Sequence, residues 1–161
     1  MKKTHLLFLI VLFSFGITGC SIAADGNDHE GEKSINDDFP PVMMGFVTVK
    51  GKKYEMEAGN YKWERRVGSE TEAVSTDSAS PSQIAEFYKP IEVEPGDDIM
   101  IEIQDDPKVS IYLFNENDRD KEVILRKNHF SVPSYKGRYN YEVLADWSNG
   151  EVSYTFVVEV H

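Results

Sequence analysis

Gly137-Arg138-Tyr139-Asn140-Tyr141-Glu142-Val143-Leu144-Ala145-Asp146-Trp147-Ser148-Asn149-Gly150-Glu151-Val152-Ser153-Tyr154-Thr155-Phe156-Val157-Val158-Glu159-Val160 is the stretch that decides the fold. Tyr139, Tyr141, Val143 and Ala145 recur at every second position, the period of a β-strand. Ser148-Asn149-Gly150 is turn chemistry. Val152, Tyr154, Phe156, Val158 and Val160 then repeat the alternation on the way back. Two such runs around a short polar break predict an antiparallel hairpin with one apolar face.

The same grammar extends toward the N-terminus. Ile91 and Val93 alternate, and Pro95-Gly96 turns the chain. Ile99, Ile101 and Ile103 line one face of a strand, and Asp105-Asp106-Pro107 closes it. Val109, Ile111 and Leu113 form the next strand, followed by the turn cluster Asn115 to Asp120. Val123-Ile124-Leu125 and Phe130-Ser131-Val132 read as short strands. Strands at roughly 8–12-residue spacing, closed by Gly, Pro, Asn or Asp, predict a β-sandwich. No helical pattern interleaves them, which argues against a parallel α/β sheet.

Before Pro90 the signals change. Ser80-Pro81 reads as an N-cap with proline in the first helical turn, and Ile84, Phe87 and Tyr88 follow at helical spacing. One short helix is expected there. Val67 to Ser80 is polar throughout and predicts a loop, the kind of segment that often carries function. Gly59 to Arg65 reads as a strand with Tyr61 and Trp63 on one face. Phe46 to Val49 and Tyr54 to Glu57 flank Lys50-Gly51-Lys52 as a hairpin. Phe39-Pro40-Pro41 opens this single domain, expected over residues 41–161.

The chain before the domain is of another kind. Ser21 to Asp38 is rich in Asp and Glu, nearly without large apolar residues and without periodicity. Such a segment buries too little to offset its ordering entropy, so residues 20–40 are expected to be a flexible acidic tether. Lys2 and Lys3 precede the apolar run Leu6 to Phe15. That run is short for a transmembrane helix, which needs about 20 residues, and suits the h-region of a secretory signal. Ile17-Thr18-Gly19-Cys20 follows directly and resembles the lipobox of bacterial lipoproteins. The resemblance implies removal of residues 1–19 and a diacylglycerol on the sulfur of Cys20, with N-acylation as a further option. Two acyl chains make a stable anchor where one gives marginal binding.

Two more resemblances follow. Gly137-Arg138-Tyr139-Asn140-Tyr141 looks like the tyrosine corner of immunoglobulin-like sandwiches, with Tyr139 as the corner tyrosine. The expected fold is thus an all-β, immunoglobulin-like antiparallel sandwich with one short helix. Tyr141 stands where antibody domains carry their second cysteine. Residues 59–161 resemble a small domain of uncharacterised lipoproteins of bacilli and related Gram-positive bacteria. The matching pieces are Gly59 to Trp63, Ser80-Pro81, Lys89-Pro90, Val93 to Gly96, Gly137 to Val143, and Trp147. Some relatives carry a cysteine pair flanking the loop before the helix, near Lys62 and Ser75 here. The family implies an exported β-rich domain and no known activity.

Composition limits the partners. The 161-residue chain has a formal charge of −11. Loss of Lys2 and Lys3 with the signal makes it more negative still. So acidic a chain is a poor match for nucleic acid, whose phosphates need a basic surface. Cys20 is the only cysteine, so the domain closes no disulfide and must hold together through its apolar core.

Residues for chemistry are sparse. A nucleophile needs an oriented base beside it. His29 falls in the tether, His161 is the last residue, and His129 sits at a strand start, so no catalytic set is assigned. Asp97-Asp98 and Asp105-Asp106 fall at opposite ends of one strand, about 17 Å apart at 3.3 Å per residue, too far to share an ion. Asn115 to Asp120 has half of a calcium-loop pattern without its glycine and final glutamate. No metal or cofactor is therefore expected. Most of the aromatics are assigned to the core. Trp63 and Trp147 are the candidate partner surface, beside the 67–80 loop.

The resulting expectation is a non-enzymatic binding module. It would be lipid-anchored at Cys20 on the outer face of a cell membrane of the Gram-positive type, meeting a protein or wall component. A regulatory or sensory lipoprotein of envelope stress is the alternative, and a cell-wall carbohydrate hydrolase a third.

Overall fold

The structure, a computed structural model, describes residues 38–115 and 118–161. The signal segment, Cys20, His29 and the tether up to residue 37 lie outside the described residues, as do Glu116 and Asn117 of the acidic turn.

The described residues form two face-to-face sheets and one helix. In order these are β1 (Gly45–Val49), β2 (Lys52–Glu55), β3 (Glu57–Val67), β4 (Glu70–Ser75), α1 (Pro81–Phe87), β5 (Ile91–Val93), β6 (Asp98–Ile103), β7 (Lys108–Phe114), β8 (Arg119–Val123), β9 (His129–Ser131), β10 (Gly137–Trp147) and β11 (Gly150–Val160). The smaller sheet runs β2-β1-β6-β9, and the larger runs β4-β3-β11-β10-β7-β8. The all-β architecture expected from the alternating strands is what forms.

β11 organises the larger sheet. One edge pairs with β10 along its whole length, from Gly137↔Val160 to Trp147↔Gly150. Its other edge is shared. β3 pairs antiparallel with its first half, and β5 pairs parallel with Val158 to Val160. A register shift between Val152 and Tyr154 marks an irregularity of the kind that bends a strand.

Alternation places the core. Val47, Ile99, Ile101 and Phe130 from the smaller sheet meet Trp63, Ile111, Tyr141, Val143, Tyr154 and Phe156 from the larger one. Tyr141 stacks on Phe156 at 5.0 Å and tilts against Phe130 at 5.1 Å, so aromatic packing joins the two sheets. Each fully buried large side chain contributes about 1.5–3 kcal/mol relative to exposure. Burial pushes the phenol of Tyr154 up to about 12, and its hydroxyl donates to the Met43 carbonyl at 2.9 Å.

The turns follow their residues. Lys50 and Gly51 both have positive φ, 48° and 77°, as a two-residue hairpin turn needs. Glu94 and Asp97 hold the Lys50 ammonium there at 3.3 and 3.1 Å. Ser80 caps α1 with a reciprocal pair: its Oγ accepts from the Gln83 N–H, and Gln83 Oε1 accepts from the Ser80 N–H.

Three expectations are corrected. Residues 67–80 are not one loop: β3 continues to Val67, Gly68 turns at φ 63°, and β4 returns through Ser75. β4 stands out beyond the core with its side chains largely exposed, so it carries no apolar alternation. Backbone pairing from Val67↔Glu70 to Lys62↔Ser75 and the Arg65–Glu72 ion pair at 2.7 Å hold it. Likewise Arg119 and Asp120 open β8 rather than end a turn, while Ile124 is outside the strand and 82% exposed. The packed chain also begins before residue 41, because Phe39 rests on the core under the Arg65 guanidinium, 4.4 Å from its ring.

Candidate functional site

The outer face of the larger sheet departs from simple alternation. Val152 to Val158 are buried without a break, including Ser153, Thr155 and Val157, which point away from the core. α1 packs over this end of the sheet against β11, β10 and β3. Ile84 reaches Gly59, where an added Cβ would sit 3.4 Å from its Cδ1. Arg138 Nη2 donates to the Ala85 carbonyl at 2.6 Å, and the Tyr88 hydroxyl donates to the Glu55 carbonyl at 2.6 Å.

Beside the helix the face opens into a basin of about 470 Å³. That volume lies in the roughly 300–1,000 Å³ range of small-molecule sites. Glu142 forms one wall. It sits on β10 between Thr155 of β11 and Tyr112 of β7, and it is 5% exposed. Arg119 reaches it from β8, two strands away. The Arg119 guanidinium lies 4.9 Å from the centre of the Tyr112 ring. Its Nε donates to Glu142 Oε2 at 2.6 Å and its Nη2 to Oε1 at 3.1 Å. Ser153 Oγ adds a third donor to Oε1 at 3.1 Å. A buried carboxylate costs several kcal/mol unless charge and hydrogen bonds compensate, and here both do. The bond to Glu142 is the main reason the Arg119 pKa lies above its ordinary value.

The opposite wall comes from β3, β4 and the segment before α1. Asn60, Tyr61, Lys62, Ser75 and Thr76 line it. Asn60 Oδ1 accepts the Ser78 N–H at 2.6 Å, and Thr76 N–H donates to the Tyr61 carbonyl at 3.1 Å. Lys62 pairs with Glu64 at 3.0 Å, which raises its pKa. Lys62 and Ser75 face each other across β3 and β4. A guanidinium fork, a fixed carboxylate, hydroxyls and amides around one concavity can bind a polar ligand in a set orientation.

The residues singled out from sequence fall elsewhere. Trp63 is 1% exposed in the core and cannot be a contact surface, because the β3–β11 pairing turns it inward against Gly150. Trp147 is half-buried, its ring 5.1 Å from Trp63. Its indole Nε1 is buried without a hydrogen-bond partner among the described residues. The Tyr139 hydroxyl donates to the Tyr135 carbonyl at 2.9 Å. Asp97 serves the β5–β6 turn, where the Glu94 N–H, first, and Lys50 hold its carboxyl below the usual range. Asp98 meets His129 Nδ1 at 2.5 Å, and His161 pairs with Glu92. Among the described residues no group of three or more His, Cys, Asp or Glu is placed to hold a metal.

Comparison of the chain with protein-family models, with curated proteins and with solved structures finds no match.

Proposed function

We propose that this protein is a lipid-anchored, non-enzymatic binding module on the outer face of the cytoplasmic membrane, and that it meets a wall component or protein with the outer face of its larger sheet. Cys20, behind its apolar run, supplies the anchor in this reading. The observation that carries the binding role is the Glu142–Arg119–Ser153 cluster. A sheet face that meets only water has no need of a buried ion pair, which seldom adds stability over apolar residues. Fixed, oriented polar groups around a concavity are what recognition uses.

The scaffold reading is immunoglobulin-like. Taken as strands B, C, E, F and G, β6, β7, β9, β10 and β11 give C-F-G order in one sheet and B-E in the other. The Tyr139 bond to a carbonyl four residues upstream matches a tyrosine corner. On this scaffold the β3–β4 hairpin and α1 are additions; the hairpin lines the basin and α1 packs on the same sheet.

Site-specific photo-crosslinking in intact cells tests the binding role. A photoreactive phenylalanine analogue in place of Glu151, on the basin rim, is expected to give discrete adducts with envelope material. The same group in place of Lys53, on the smaller sheet, is expected to give none. Identical adducts from both positions, or none from either, would refute the reading. Cys20→Ser is expected to abolish palmitate labelling of the protein, and labelling that persists would refute the anchor.

A further inference from the structure

Taking the basin as the binding surface proposed above, we infer that its ligand is a neutral, hydroxyl-rich molecule of the saccharide class.

Charge comes first. The ionisable side chains lining the basin, apart from the phenol of Tyr61, are Lys62 and Arg119 against Glu142 and Glu151. They balance, in a chain whose formal charge is −11. An anion would meet two carboxylates, with Arg119 already committed to one of them. A cation would meet Lys62 and Arg119. Neither sign gains what a single-sign pocket offers.

Hydrogen-bonding capacity comes second. A carboxylate has about four acceptor sites and a guanidinium five donors. Three bonds occupy Glu142, and two of the Arg119 donors are spent on it. The pair therefore keeps about one acceptor and three donors, side by side on one wall. Neighbouring sugar hydroxyls, each both donor and acceptor, complement such a mixed edge. Across the basin, Asn60 Oδ1 is taken by Ser78, so its amide NH₂ remains as a donor. Leu144 adds an apolar patch for the C–H face of a ring.

Preorganisation comes third. Arg119 is held by Tyr112 and Glu142 before any ligand arrives, so binding does not have to order it. A site with buried, oriented polar groups also discriminates strongly against analogues that lack the matching hydroxyl.

The test uses the full-length protein in neutral detergent, titrated with chitotetraose and cellotetraose, and with tetragalacturonate and inorganic phosphate as anionic probes. Saturable binding of at least one neutral tetrasaccharide is expected, tighter than about 1 mM. Arg119→Lys keeps the charge but loses the planar fork, and should weaken binding about tenfold or more. Glu151→Lys leaves the buried pair intact and makes the rim basic. It should move the preference toward tetragalacturonate. Lys53→Ala, on the other sheet, should change nothing.

Failure of both neutral tetrasaccharides to bind more tightly than about 1 mM overturns the inference. So does wild-type preference for either anion, or sugar binding that both Arg119→Lys and Glu151→Lys leave unaltered. A positive crosslink at position 151 together with no sugar binding overturns the ligand class and leaves the binding module standing. Failure of both overturns both.

Discussion

Arg119→Met isolates the partly buried pair at the basin. The variant keeps much of the apolar stem and removes the guanidinium, so Glu142 keeps one donor, Ser153. Breaking a fully buried pair costs about 3–5 kcal/mol, and an exposed pair about 0–1. This pair is intermediate: the Glu142 side chain is 6% exposed and that of Arg119 is 43% exposed. Water reaching the vacated site lowers the penalty, and about 2 kcal/mol is expected. For a domain of this size that corresponds to a Tm lower by roughly 6–8 °C. Replacing both members, Arg119→Met with Glu142→Leu, removes the stranded charge and should recover most of the loss. Urea unfolding followed by circular dichroism, with m unchanged, gives all corners of the cycle. A coupling of about 1–2 kcal/mol is expected. A single variant that loses less than about 0.5 kcal/mol, or a double variant equal to the sum of the singles, would refute the claim that Glu142 depends on Arg119.

Three other outcomes follow from the packing. Gly150→Ala would drive a Cβ into the Trp63 ring and to 2.7 Å from the Lys62 carbonyl oxygen, so a loss of at least about 1–3 kcal/mol and a changed tryptophan emission are expected; near-native stability would contradict the β3–β11 register. Ser80→Ala removes one half of the capping box and should cost about 1 kcal/mol in the same urea assay, with no loss meaning that the cap carries no stability. Burial holds the Tyr88 and Tyr154 phenols at about 12, above the ordinary value near 10. Between those values the unfolded chain has lost protons that the folded chain keeps, so stability is full below pH 10 and falls as pH rises toward 12. Absorbance at 295 nm should show these phenols ionising late in the folded protein, and ordinary titration of every tyrosine would count against their burial.

Much of the fold was legible because burial in a two-sheet core imposes a period of two. Ile99-Ile101 and Tyr141-Val143-Ala145 show it, and the structure places them facing one another across the core. The short helix was legible from Ser80-Pro81, since capping is local chemistry. β4 was not legible. Glu70 to Ser75 lies at a sheet edge outside the core, where backbone pairing rather than side-chain burial makes the strand. Trp63 reads from sequence as a candidate surface residue because side-chain period does not say which face meets the core, and strand pairing turns it inward.

The basin was the least legible part. Glu142 stands in sequence as one polar residue in an alternating strand, and Arg119 as one charge in an acidic turn, 23 positions apart. The one available signal was the polar character of that strand's outer face, which solvation explains equally well.

The sequence alone determined what local rules govern: the strand alternation, the turns, the helix cap, and the expectation of a lipid anchor at Cys20. Tertiary structure alone decided which polar residues gather around the basin. Side-chain period says which face a residue occupies but not which strands lie beside it. Only sheet order puts β8 within reach of β10, and only the β3–β4 hairpin raises the wall opposite Glu142.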